Sequence, residues 1–165
     1  TSRSKKALSA VIGRFFELEI THGKGSYIYT KDGQKYLDFG AGIAVTATGH
    51  CHPDVVKAIQ KQAETLIHTC VATGHYEAPV LLAEKLCSYF DKPNYSIFFN
   101  QSGSEAVETA IKLARYVSKK QEIIAFEGGF HGRTYGALSL TSSKKKYWEG
   151  YGKLLENISF FQHLH

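Results

Sequence analysis

The stretch between residues 95 and 126 constrains this chain most. An apolar run, Ile97-Phe98-Phe99, leads into the small polar stretch Asn100-Gln101-Ser102-Gly103-Ser104-Glu105-Ala106. An amphipathic run from Val107 to Val117 follows, and then a second apolar run at 122–126. The spacing predicts a strand at 95–99, a helix at 104–118 and a strand at 122–126. Val107, Ala110, Ile111, Ala114 and Val117 form the helix's inward stripe. Ser102 and Glu105 stand at the Ser-x-x-Glu spacing of a capping box. Two fully apolar strands around one helix predict a parallel βαβ unit buried on both faces, so the fold class is α/β.

The residues before this unit read differently. Short strands are expected at 17–21, 27–30 and 35–39, punctuated by Gly23-Lys24-Gly25 and Lys31-Asp32-Gly33-Gln34. The Asp32-Gly33 pair is a hairpin signal. A loop is expected from Gly40 to Pro53. Pro53 then opens a helix at its favoured first-turn position, with Val55, Val56, Ile59, Ala63, Leu66 and Ile67 as the apolar stripe. Another helix is expected at 78–90, carrying Leu81, Leu82, Leu86, Cys87 and Phe90 on one side. Two domains follow: an N-terminal segment of short antiparallel strands, 1–52, and an incomplete large α/β domain, 53–165.

Composition narrows the class of protein. The chain has 165 residues, 43% of them hydrophobic and 21% charged, as expected of a globular protein. Twenty Lys and Arg against 15 Asp and Glu leave a mild positive charge, which does not argue for nucleic acid. Lys5-Lys6, Lys119-Lys120 and Lys144-Lys145-Lys146 are expected on solvated surface. Cys51, Cys70 and Cys87 are odd in number and have no Cys-x-x-Cys spacing, which suits a reducing compartment better than a disulfide framework. No apolar run approaches the ~20 residues that cross a bilayer. The start lacks the apolar core of a secretory signal, and because it opens on Thr1 an initiator or leader is expected to be missing.

Two loops follow the two central strands, where open α/β sheets bind ligands. In the first, Ser102, Gly103 and Ser104 open a helix, and a helix start presents backbone N–H groups and positive charge to a phosphate. An ordinary capped helix with nothing bound has the same signature. The second loop is Glu127-Gly128-Gly129-Phe130-His131-Gly132-Arg133-Thr134. Phe130 is suited to covering a planar ring, and Arg133 to holding a carboxylate in a bidentate pair. Each also has a plain structural reading: Phe130 as a core aromatic, His131 as a satisfied loop histidine, Arg133 in an ion pair.

Taken in order, these motifs resemble the front part of a class III aminotransferase. The resemblance runs through Gly23-Lys24-Gly25-Ser26-Tyr27-Ile28-Tyr29, Asp32-Gly33-Gln34-Lys35-Tyr36-Leu37-Asp38-Phe39 and Gly42-Ile43-Ala44-Val45. It continues with Gly49-His50-Cys51-His52-Pro53, the Phe99-Asn100-Gln101-Ser102-Gly103-Ser104-Glu105-Ala106 stretch, Ala110-Ile111-Lys112-Leu113-Ala114-Arg115 and Phe130-His131-Gly132-Arg133-Thr134. It covers nearly the whole chain and implies the fold type I of pyridoxal 5'-phosphate (PLP) enzymes. By that resemblance Ser102, Gly103 and Ser104 hold the cofactor phosphate, and Phe130 stacks on the pyridine ring with His131 beside it. Arg133 pairs with the substrate carboxylate, and Ile43 lies near the substrate entrance. The His50-Cys51-His52 run is structural in that family, so no metal is expected.

The resemblance further implies amino acid and 2-oxo acid substrates, a homodimer and a cytoplasmic setting, with no nucleic-acid or membrane partner. The strands before residue 40 and the loop at 40–53 are the expected dimer contributors. An ω-amino acid such as 4-aminobutyrate suits Arg133 as donor, with 2-oxoglutarate as acceptor. An acetylornithine or ornithine enzyme is the alternative within the family. Outside it stand a noncatalytic aminotransferase-like remnant and a generic phosphate-binding module. The family's cofactor-linking lysine and its Asp-Glu-x-Gln motif are absent from these 165 residues, so no catalytic residue is assigned. The chain alone is expected to be inactive, with apolar surface left uncovered.

Overall fold

A computed structural model describes residues 2–11, 13, 15–91 and 94–163. The chain divides into two compact units, Thr1–Tyr76 and Glu77–His165. By internal packing, the helix that Pro53 opens groups with the N-terminal strands.

In the first unit a short helix, α1 (Ser2–Ala7), precedes an antiparallel meander of β1 (Ile20–Lys24), β2 (Tyr27–Thr30) and β3 (Lys35–Leu37). β1 pairs Lys24 with Tyr27 and Gly23 with Ile28, and β2 pairs Tyr27 with Leu37. β1 starts three residues later than the expected strand and runs on through Gly23 and Lys24, which pair with Ile28 and Tyr27. The Asp32-Gly33 turn is present: Gly33 takes φ 81° and donates to Thr30 O at 3.0 Å. α3 (Pro53–Thr65) carries Pro53 at its start, and the His52 ring accepts from Asp54 N at 3.3 Å. Its apolar stripe is uncovered: no residue of α3 is buried. An amphipathic pattern states which face seeks cover, and says nothing of whether a partner lies there.

Within the expected loop lies one turn of reversed hand, α2 (Ala41–Ala44). Ala41, Gly42, Ile43 and Ala44 all have positive φ. A β-branched residue such as Ile43, at φ 67°, pays a steric penalty there. The turn is held by backbone bonds, Val45 N to Ala41 O and Ile43 N to Gly40 O, and by Asp38, which accepts from Ala41 N at 3.0 Å. Asp38 also bonds His50 Nε2 at 2.7 Å. The His50 bond foremost, and then the Ala41 amide, hold the Asp38 carboxyl below its ordinary pKa. The backbone of His50 in turn exchanges two bonds with Gly25. Gly49 sits so close to Gly25 that a Cβ would lie 2.7 Å from its carbonyl oxygen.

The second unit contains α4 (Glu77–Cys87), α5 (Gly103–Ser118), β4 (Ile123–Phe126), α6 (Tyr135–Ser139), a 3₁₀ turn (Lys145–Tyr147) and β5 (Ile158–Phe161). The parallel pairing is present, but its partners differ from those expected. β4 pairs with β5, Ile123 opposite Ile158 and Phe126 opposite Phe161. Residues 95–99 form no ladder among the described residues, which corrects the βαβ unit predicted from them. A strand exists by pairing, and an apolar run alone does not name its partner. The core is small: Ile111 of α5, Ala125 of β4 and Leu140 pack together, with Val107, Ile123 and Ile158 against them. Of the five inward positions expected on α5, only Ile111 is buried, and Val117 is 69% exposed.

Candidate functional site

The N-terminus of α5 forms as the sequence predicts. Ser102 is the N-cap, its Oγ accepting from Glu105 N at 3.2 Å, and the Glu105 carboxylate accepts from Gln101 N at 2.7 Å. That capping box satisfies the box's own donors. The N–H groups of Gly103 and Ser104 find no acceptor among the described residues. The space a Gly103 Cβ would enter is open to 4 Å. A 16-residue helix therefore begins with two amides that have no acceptor among the described residues, an arrangement that fits a phosphate group.

The second loop meets this helix end. Arg133 N donates to Ser104 Oγ at 3.4 Å. Gly132 is buried at φ 138°, and a Cβ there would collide with Ser104 Oγ and Ala137 Cβ. Phe130 is 54% exposed and meets Tyr147 edge-on at 5.4 Å, so it is no core aromatic. The His131 ring lies against Gly129, where an added Cβ would stand 2.9 Å from Nε2. Arg133 is exposed, with no ion-pair partner among the described residues. The structure thus joins the start of α5, with Ser102, Gly103 and Ser104, to the loop that carries Phe130, His131 and Arg133, through the Arg133 N–Ser104 Oγ bond. Ile43 belongs to the first unit, on the left-handed turn.

Two residues that sequence reasoning passed over hold the loop. Glu108 lies one helical turn beyond Ser104, on the same face of α5. Its Oε1 accepts from Thr134 Oγ1 at 2.6 Å and from Ala137 N at 3.1 Å, and Gly136 N–H also bonds the carboxylate. Burial pushes this carboxyl up, but the bonds from Thr134, Ala137 and Gly136, with Lys112 nearby, outweigh it and hold its pKa below the ordinary value. Thr141, 2% exposed, accepts from His131 N at 3.0 Å on the loop's other side. The i, i+4 spacing of Ser104 and Glu108 was a readable signal. For Thr141 the sequence carries none.

The fold that carries this helix start and this loop has counterparts among solved structures. The fold matches that of an ω-transaminase from Pseudomonas jessenii, solved in complex with PMP, at a TM-score of 0.88 and 26% identity. The match covers 99% of this chain and 39% of that one. The fold is therefore a part of fold type I of PLP-dependent transaminases. The Aminotransferase class-III model matches residues 9–164, and the chain belongs to that family.

Its relatives differ in activity. An acetylornithine aminotransferase of Methanocaldococcus jannaschii is 48% identical over 156 residues, 89% of this chain and 37% of the relative. A probable 4-aminobutyrate aminotransferase of Bacillus subtilis is 43% identical over 138 residues, 82% and 31%. An alanine/serine racemase of Pyrococcus horikoshii is 38% identical over 157 residues, 94% and 33%. This chain spans about a third to two-fifths of the length of these relatives.

Proposed function

We propose that this chain supplies the phosphate cradle and ring cover of a PLP-dependent aminotransferase. The carrying observation is the pair of free amides at Gly103 and Ser104, set against the loop through Gly132 and Arg133. In this reading Gly103 and Ser104 hold the phosphate through their N–H groups, with the capped helix end adding positive charge. The Ser104 hydroxyl, which accepts from Arg133 N, keeps its own proton free to donate to the same anion. Phe130 covers one face of the pyridine ring, and His131 flanks it. The Arg133 guanidinium, which has no ion-pair partner among the described residues, takes the substrate carboxylate. Ile43 is a substrate-side residue by the family pattern. When bound, the cofactor would supply an electron sink that lets the amine-bearing carbon of a substrate lose its proton.

The amino donor we propose is an ω-amino acid such as 4-aminobutyrate, with 2-oxoglutarate as acceptor. The enzyme acts as a cytoplasmic homodimer. The identity to an acetylornithine aminotransferase supports a second reading, in which acetylornithine or ornithine is the donor. The family's cofactor-linking lysine has no counterpart in these 165 residues, so this chain alone holds the cofactor noncovalently and does not transfer amino groups. The test is a panel of amino donors with 2-oxoglutarate, assayed on the protein purified from its source and sized by mass spectrometry. Fastest glutamate formation from 4-aminobutyrate is expected. Fastest formation from acetylornithine establishes the second reading, and no turnover with any donor by a source protein that mass spectrometry shows to be longer than these 165 residues contradicts both.

A further inference from the structure

Thr141 is the most enclosed polar side chain in the molecule's described residues, and every bond it makes is to backbone. Its Oγ1 accepts from His131 N at 3.0 Å. The hydroxyl's one proton is shared between Gly132 O and Ala137 O, each at 3.1 Å. Thr141 therefore grips the loop on both sides of the peptide that joins His131 to Gly132. The two residues after it extend the grip, since Ser142 N and Ser143 N both donate to Gly129 O, at 2.9 and 3.1 Å. Loops are ordinarily the mobile part of a structure. This one is tied at Gly129, His131 and Gly132, while Phe130 projects half-exposed from between the ties.

We propose that Thr141 is a positioning residue, which fixes the backbone at His131 and Gly132 so that Phe130 and His131 present their rings in one orientation to the cofactor. The inference rests on the PLP reading above. Thr141 touches no ligand atom; it acts through the loop. A buried hydroxyl bonded to three backbone groups leaves them unsatisfied when it is removed, and the loop then samples other conformations. The phosphate cradle at Gly103 and Ser104 belongs to α5 and makes no bond to Thr141; the loop reaches it through the Ser104 side chain rather than through the two amides, so loss of the Thr141 hydroxyl is expected to act on the rings before the phosphate site.

The test uses the 165-residue chain, with inorganic phosphate and PLP as probes. Affinities come from calorimetry, and ring orientation from the circular dichroism induced in the cofactor band. Thr141→Val keeps the shape and removes the hydroxyl; it is expected to weaken PLP about tenfold and abolish the induced band, while phosphate affinity stays within about twofold. Thr141→Ser restores the wild-type values. Ser139→Ala is the control: this buried hydroxyl bonds Tyr135 O and Leu155 N and does not touch the loop. It should lower the melting temperature and leave PLP binding unchanged. Equal PLP binding and induced signal in Thr141→Val and wild type overturn the proposal but leave the functional reading standing. Equal loss in Ser139→Ala and Thr141→Val also overturns it, since the effect is then general destabilisation. Absence of PLP binding in the wild-type chain overturns the functional reading and the proposal together. Should Thr141→Val fail to fold, amide exchange in the wild-type chain decides: His131 N–H is expected to exchange as slowly as β4 amides, and exchange at the rate of open loops contradicts the role.

Discussion

At the residue scale, Gly132 concentrates the constraint on the loop. It combines φ 138° with burial, and a side chain there would run into Ser104 Oγ and Ala137 Cβ. Neither obstacle is the far end of a long flexible chain, so neither moves aside cheaply. Gly132→Ala should therefore destabilise the second unit by about 1–3 kcal/mol and separate the loop from α5. Chemical denaturation measures the first effect. The second appears as a lost bond between Arg133 N and Ser104 Oγ, seen as faster exchange of the Arg133 amide. Ile43 holds a similar strain in the first unit, at φ 67° and 89% exposed. A strained, exposed, β-branched residue is a reason to look for function at that turn.

At the element scale, one carboxylate bonds α5 to the start of α6. Glu108 takes bonds from Thr134, Gly136 and Ala137, so it caps α6 from a neighbouring helix. A Cβ on Gly136 would occupy the carboxylate's place. Because the folded pKa lies below the ordinary glutamate value of 4.5, Glu108 contributes its full stabilisation above that pH. That contribution is lost as pH falls through the lowered folded value. Glu108→Gln should lower stability near neutral pH by about 1–2 kcal/mol and flatten the acid side of a melting-temperature profile. An unchanged acid slope would show that the carboxylate is not what joins the helices.

Much of this element structure was legible in the sequence, and the failures have physical causes. The Ser102 and Glu105 box, the Pro53 start and the Asp32-Gly33 turn are local chemistry, and each is found where the residues predict it. The identity of β4's partner is not local: Ile158–Phe161 lies more than thirty residues further on, with the intervening glycine loop, α6 and the 3₁₀ turn between them. The reversed turn at Ala41–Ala44 was hidden for another reason. Only Gly42 among its four residues favours positive φ, and Asp38, which holds the turn, precedes it by three residues.

At the scale of the whole molecule, exposure dominates. The chain presents 14068 Å² of surface. Two separate folded units of half its 18.3 kDa mass would together present about 9,800 Å². The excess includes large apolar side chains, among them Ile59, Ile67, Phe98 and Val117. No described helix is long and apolar enough to cross a membrane. In isolation the chain should associate with rising concentration and bind a hydrophobic dye, as sedimentation and fluorescence would report. A sharp two-state melt of a monomer that binds no dye would contradict this. The central claim, that the start of α5 is a phosphate cradle serving a pyridoxal ring, has a more direct test. Titrate the chain with PLP, and separately with pyridoxal, which has the same ring without the phosphate. Saturable PLP binding that inorganic phosphate displaces is expected, with pyridoxal binding weaker by about a hundredfold or more, since a charge-assisted phosphate contact to several N–H groups is lost. Equal binding of the two, or PLP binding that inorganic phosphate does not displace, would contradict it.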